Sequence, residues 1–399
     1  MKRVIALMLC ALLCAGAFAT AETGCNQMGL AALQSLWDGK SNCFVSPVSL
    51  GLALEMAGAG AGGQTLIEIE ALLEKDDLHG LTIPGLKSAD AAFVREEAII
   101  LDGYKESLEG FGAALFPLDD LGRVNAWVKE HTDGLIEKLT DALPGDTALM
   151  LLSALAMDAR WAQPFNSHFT RPELFHGPLG DGYVYMMHDT FTTDYAELDN
   201  QQFLKLYYED SSLYMLLMLP GDGDANSSLN WLKENKLNAI PFEMESAERI
   251  VSDIIENERR YGNEPDEDAL KMIREWFDEP MPWQVSVSLP KMDILSVCEL
   301  SGALKAQGME AAFDKDRADF SGISDIPLYI TNIGQRVRVQ VDELGTRAAA
   351  VTEISYAAGE PLYDQIPVSF RCDRPFVLLI ADEDSGSICF AGVVTKPDA

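Results

Sequence analysis

The sequence predicts an α+β fold: one large unit on a mainly antiparallel sheet, with helices gathered ahead of most strands. Three observations carry this. Apolar residues recur at helical spacing through the first third of the chain. "TALMLLSALAMDARW" (147–161) is a single apolar run. Strand-like runs crowd the remainder.

The elements follow in order. "NQMGLAALQSLWD" (26–38) has the helical period. Ser46 and Pro47 supply a cap and a first-turn proline for a second helix through Met56. "QTLIEIEALLEK" (64–75) is a third helix, followed by a polar stretch to residue 88. "AAFVREEAII" opens an alternation of strands and helices, with a helix at 103–114 and a strand near 115–118. "RVNAWVKEHTDGLIEKL" (123–139) reads as a long amphipathic helix. The 147–161 run then predicts a central strand buried on both faces. Further strands are expected at 184–195, 203–208, 213–219, 284–292, 328–341, 375–381 and 387–394.

The chain has 399 residues, is 48% hydrophobic and carries a net charge of -33. That composition excludes a disordered chain. The charge argues against nucleic acid and anionic membrane surfaces as partners, since both need clustered Lys and Arg. Lys2 and Arg3, the apolar run Val4 to Ala15, and the small residues at 17–19 or 19–21 predict a secretory signal peptide over 1–21. Residues 22–399 then form a single secreted domain, and the short leader and sparse cysteines fit a bacterial source. A lipid-anchored Cys25 is the competing reading, against which Glu22 stands where an aliphatic residue is needed. Five cysteines remain after the leader: Cys25, Cys43, Cys298, Cys372 and Cys389. An odd, scattered set predicts buried thiols, with Cys25 and Cys43 as the one pair to consider. Residues 243–279 hold thirteen acidic residues against five basic, which reads as a solvated helical insertion or a partner-docking arm.

Enzyme signatures fail on inspection. Gly58, Gly60 and Gly63 fit G-x-G-x-x-G, but they follow a helix rather than a strand. No H-E-x-x-H, mature C-x-x-C or G-x-S-x-G occurs, so neither metal nor cofactor is expected and the chain does not read as an enzyme.

The segment after Gly345 is unusual. Read as a strand, Thr346, Ala348, Ala350, Thr352, Ile354 and Tyr356 share one small or apolar face, while Arg347 and Glu353 fall on the other. A short Ala-rich helix competes, weakened by β-branched Val351, Thr352 and Ile354. Gly359 and Pro361 suit an exposed loop. One segment is thus written for two states, exposed loop and sheet strand.

At this point a resemblance enters. "NCFVSPVSLGLALEMAGAGAGGQT", "VNAWVKEHTDGLIEKL", "ALMLLSALAMDARWAQPF", "VYMMHDTFTTDYAE", "LYMLLMLPGD", "VSLPKM", "ADFSGIS" and "RPFVLLIADEDSGSICFAGVV" each resemble a serpin segment, in the right order. The resemblance implies a serpin fold of three β-sheets and eight or nine helices, with a reactive-centre loop at 346–366. It implies a monomer that traps a target protease covalently: the loop is cut as substrate, and its freed arm enters the main sheet as a strand. Glu343, Gly345, Thr346, Ala348, Ala349 and Ala350 match the inhibitory hinge. Trp161 matches the tryptophan where insertion begins. Ser46, Ser49, Ser153 and Gln335 stand at the positions that control sheet opening; Ser153 and Gln335 replace the family's usual Asn and His, and a rebuilt hydrogen bond between them is expected. Residues 75–90 are too short and polar for the family's fourth helix, so no heparin site is expected.

The family places its scissile residue about sixteen positions past the hinge glutamate, which gives Gly359, cut before Glu360. Counting back from Pro367 and Arg374-Pro375-Phe376 points instead near Asp364. Ala358, Leu362 and Tyr363 are the neighbouring alternatives. No Lys or Arg lies between Ala348 and Phe370, which disfavours a trypsin-like target. An elastase-, chymotrypsin- or subtilisin-like serine protease is expected, with a cysteine protease or a non-inhibitory carrier or chaperone-like role as alternatives.

Overall fold

The computed structural model describes residues 24–74, 83–95, 98–118, 120–132, 149–242, 282–346 and 367–397, with single positions between these runs. The leader, Arg347 to Ala350, all candidates for the scissile bond (Ala358, Gly359, Glu360, Leu362, Tyr363, Asp364) and most of 243–279 lie outside the described residues.

Helices α1 (Gly24–Leu36), α2 (Pro47–Gly58) and α3 (Gly63–Leu73) fall where the apolar spacing puts them. Ser46 begins α2 in two ways. Its Oγ accepts the Ser49 N–H at 3.2 Å and donates to the Cys389 carbonyl at 2.7 Å, tying the helix start to the core. Helix α4 spans Asp102–Gly110 and α5 spans Leu121–His131. The amphipathic pattern around α5 runs on to Leu139, yet the helix stops at His131. Gly134, at φ 75°, donates its N–H to the Lys129 carbonyl at 2.7 Å and closes the end. Helices α6 (Ala225–Glu234) and α7 (Ser301–Ala306) complete the set among the described residues. None of these helices is long and apolar enough to cross a membrane.

Strands are numbered along the chain. The first sheet runs β1 (Cys43–Val45), β17 (Ile388–Val394), β16 (Phe376–Asp382), β10 (Leu213–Pro220), β9 (Gln201–Tyr207), β8 (Tyr195–Leu198), all antiparallel. β10, β16 and β17 are buried along their whole length, as their unbroken apolar sequences require; α1, α2 and α6 pack against them. Each such Leu, Ile, Val or Phe contributes about 1.5–3 kcal/mol on burial. Asp199 and Asn200, both at positive φ, make the two-residue turn joining β8 to β9.

The second sheet runs β15 (Val368–Arg371), β11 (Trp283–Pro290), β7 (Gly180–Thr193), β6 (Arg171–Gly177). β15 and β11 are parallel. β6 and β15 are strands the sequence pattern does not announce. Both are sheet edges, and β6 carries Pro172, which an edge tolerates because only one flank needs hydrogen bonds.

The third sheet is split. On one side lie β3 (Ala114–Pro117), β2 (Leu86–Val94) and β4 (Leu149–Met157). On the other lie β12 (Met292–Glu299) and β13 (Gly334–Asp342). β4 continues past Asp158 into β5 (Ala159–Arg160), and β14 (Gly345–Thr346) bridges β5 to β13. The three expected sheets are therefore present, with an interval in the third. The expectation that 147–161 is buried on both faces is corrected: Leu149 to Ser153 are only half-buried. Among the described residues, the edge of β4 away from β2 has no ladder partner, and that edge is open.

Among the described residues the five cysteines are buried free thiols, and the Cys25–Cys43 pairing is not formed. Cys43 instead lies 3.9 Å, sulfur to sulfur, from Cys298, a contact separated by 255 residues in sequence. The hydrogen bond with Cys298, and then burial, hold the Cys43 thiol far above its usual range. Thiol titration of the denatured chain lacking residues 1–21 should count five free thiols; three would restore a disulfide.

Candidate functional site

The interval between β4 and β13 is a cleft of about 490 Å3, floored by α2 and bordered by Leu151, Ser153, Gln335 and Arg336. Helix α2 reaches both banks. Gln335, on β13, accepts the Ser46 N–H through Oε1 at 2.8 Å and donates from Nε2 to the Ser46 carbonyl at 2.9 Å. On β4, the Ser153 carbonyl accepts the Ser49 hydroxyl at 2.8 Å. The expected Ser153–Gln335 hydrogen bond is absent: the Gln335 side chain is taken up by the Ser46 backbone, and only the backbone carbonyl of Ser153 bonds α2. The Ser153 Oγ is buried with no partner. Parting the banks breaks no direct bond between these two side chains.

At the top of the cleft the chain from Asp342 to Thr346 is fastened residue by residue. Trp161 donates its ring N–H to the Asp342 carbonyl at 3.0 Å and its backbone N–H to the Leu344 carbonyl at 2.9 Å. Phe165 N–H reaches the Glu343 carbonyl at 2.9 Å. The Glu343 carboxylate takes Lys291 Nζ at 2.7 Å and Thr170 Oγ1 at 2.8 Å. Burial alone would raise this carboxyl; Lys291 and Thr170 outweigh it and leave it below the usual range. Gly345 then passes through a gap that admits no side chain, since a Cβ would stand 2.2 Å from the Ala159 carbonyl oxygen. Close approach to β5, rather than the freedom to turn, is what demands glycine there. Thr346 is 4% exposed, and its Oγ1 lies 2.6 Å from the Tyr208 hydroxyl.

The chain re-enters the described structure at Pro367 and forms β15 against β11. Arg371 secures it, with Nη2 at 2.5 Å from Glu173 on β6 and Nε at 2.8 Å from Asp373. Cys372 N–H adds a bond to the Ser288 carbonyl at 2.9 Å. The stretch from 347 to 366 is therefore anchored at both ends, and both anchors touch the neighbourhood of β11: Lys291 just beyond its end, Ser288 within it.

Of the residues picked from sequence, the structure gathers Glu343, Gly345, Thr346 and Trp161 at the top of the cleft, Ser46 and Ser49 at its floor, and Ser153 and Gln335 on its two banks. Sequence reasoning missed Tyr208, Lys291 and Thr170. Lys291 lay inside the quoted "VSLPKM" but had no assigned part. No spacing rule links it to a glutamate 52 residues on. Among the described residues no group of His, Cys, Asp and Glu could hold a metal ion.

A profile of the serpin (serine protease inhibitor) family matches residues 23–252 and 262–397, breaking only within the acidic segment. An uncharacterized serpin-like protein of Thermococcus kodakarensis is 31% identical over 383 residues, 90% of this chain and 81% of the relative. Iripin-2 of Ixodes ricinus is 29% identical over 407 residues, 93% of this chain and 92% of its own. The native-state structure of tengpin, a thermophilic serpin, is similar in fold, with a TM-score of 0.73 at 24% identity, covering 94% of this chain and 93% of that one. With a family profile along nearly its whole length and a relative 31% identical across most of both chains, the chain belongs to the serpin family.

Proposed function

We propose that the chain is a secreted, monomeric suicide-substrate inhibitor of an elastase-, chymotrypsin- or subtilisin-like serine protease, with residues 346–366 as its reactive-centre loop. Protease inhibition is the activity the family is named for. One observation carries the finer reading: Gly345 and Thr346 already stand as a strand between β13 and β5, above a cleft whose two banks are strand edges. An arm continuing from Thr346 has a ladder partner waiting on each side.

The chemistry is that of an interrupted hydrolysis. The protease serine oxygen attacks the carbonyl of the scissile residue, Gly359 by the forward count. The Gly359–Glu360 bond breaks, and the amine of Glu360 departs with a proton. An ester now joins Gly359 to the protease. Insertion of the arm as a strand carries the ester away from the loop's original place before water can cleave it. Ala348, Ala349 and Ala350 are small enough to enter a packed sheet without displacing neighbours.

The test is a panel of elastase, chymotrypsin, subtilisin, trypsin and a papain-like enzyme. An SDS-stable complex with one of the first three is expected, and none with trypsin. Mass analysis of the C-terminal fragment reads the bond. Clean cutting without a complex across the whole panel would move the chain to the non-inhibitory reading; a complex with the papain-like enzyme alone would change the target class.

A further inference from the structure

Tyr208 lies between β9 and β10, in the first sheet, whereas the hinge belongs to the third. It is 3% exposed and fixed on every side. Its N–H donates to the Leu213 carbonyl at 3.2 Å, its neighbour Glu209 donates to the Arg160 carbonyl at 2.8 Å, and it forms an antiparallel bridge with Trp161. Its ring stacks on Trp161 at 4.6 Å and 15°. What remains is the hydroxyl, 2.6 Å from Thr346 Oγ1, both atoms buried. Burial pushes the phenol well above its ordinary range, so the hydroxyl keeps its proton at any working pH and the contact does not titrate.

A strand entering a sheet must choose a register, and a one-residue slip sends every inward side chain to the wrong face. Here the inward set begins at Thr346. A buried threonine held by a partner on the neighbouring sheet fixes which residue is first.

Resting on the suicide-substrate reading above, we propose that the Tyr208 hydroxyl is a positioning group for loop insertion: it seats Thr346 between β13 and β5, so the freed arm zips from a fixed register. It thereby sets what fraction of protease attacks end in a trapped complex rather than in released, cut inhibitor. Tyr208 touches neither the scissile bond nor the protease. It acts through Thr346.

Tyr208→Phe keeps the ring on Trp161 and removes the hydroxyl, leaving Thr346 Oγ1 buried without its partner, a change that shifts a local equilibrium roughly tenfold. The number of inhibitor molecules consumed per protease trapped should rise about threefold or more. The rate at which the protease attacks the loop should stay within about twofold, because the bond attacked is untouched. Thr346→Val breaks the same contact from the other side and should raise the ratio alike, which keeps the test open if one variant folds poorly. Combining Tyr208→Phe with Thr346→Val puts two apolar groups of matched shape together and should return the ratio toward the parent value. A merely structural tyrosine would lower the melting temperature and leave the ratio alone. If the parent traps protease and Tyr208→Phe traps it in the same proportion, the positioning role is overturned while the inhibitor reading stands. If the parent is cut without trapping by every protease tried, both fall together.

Discussion

Cutting the chain between Thr346 and Pro367 should make the protein melt hotter, by at least about 10 °C. Cleavage normally loosens a fold, so the expected sign is the informative part. β4 offers nine residues of strand and β13 offers seven, Gly334 to Gln340, before Val341 and Asp342 take β14; along that length the flanks that face each other lack a ladder among the described residues. A strand filling the interval makes backbone bonds on both sides, each worth a net ~0.5–1.5 kcal/mol. It also buries a face of small and apolar side chains. Ordering the arm costs about 1–2 kcal/mol per residue. The balance is on the order of 10 kcal/mol, which for a chain of this size is a shift of roughly 10 °C. Calorimetry before and after limited proteolysis, with the cut located by mass, reads it directly. Nicked protein that melts at the same temperature or lower would remove the energetic basis of the proposed mechanism.

Glu343→Lys is the substitution expected to damage the resting state most. It removes the carboxylate that Lys291 and Thr170 hold, and sets an ammonium against Lys291 in a site where the Glu343 side chain is 13% exposed. The pair is partly buried, with the Lys291 side chain 32% exposed, so breaking it from one side costs less than the about 3–5 kcal/mol of a fully buried pair, since water screens the remaining charge. The loss falls where the chain from Asp342 to Thr346 is fastened, so the banks should part more readily. Parted banks present bare strand edges to other molecules. The expected results are a melting temperature lowered by several degrees and soluble oligomers on a sizing column after mild warming. Glu343→Gln, which keeps a partner for Thr170 and adds no repulsion, should lie between. A Glu343→Lys protein as stable and monomeric as the parent would mean the ion pair contributes nothing to closure.

The physical origin of what the sequence discloses is clear from particular elements. α1 and α3 are legible because each has a helical period; α2 is buried on nearly every side and is legible from its start signal, Ser46-Pro47. β10, β16 and β17 are legible because strands covered on both faces must be apolar throughout. β12 alternates buried and half-exposed or exposed residues from Met292 to Glu299, yet it follows β11 after a single residue, Lys291, and the two merge in a linear reading. β6 has a proline and scattered charge because an edge is under little demand. The half-exposure of Leu149 to Ser153 was invisible for a deeper reason: composition says what a strand can bury, not whether its neighbour is in place. In the candidate site, Gly345 and Thr346 stood out by residue type. Tyr208, Lys291 and Thr170 did not, since a tyrosine, a lysine and a threonine become specific only when the fold delivers them to their partners.

The chain beyond any cut in 346–366 contains β15, β16 and β17. β16 and β17 are fully buried at the middle of the first sheet, and β15 is clasped by Glu173 and Ser288. A severed C-terminal piece is therefore interior masonry, not a loose tail, and will not diffuse away. A molecule cut without trapping a protease keeps both pieces under native conditions, so a method that weighs whole particles does not register the cut. Detergent or acid, which pulls the two pieces apart, shows the cut by mass.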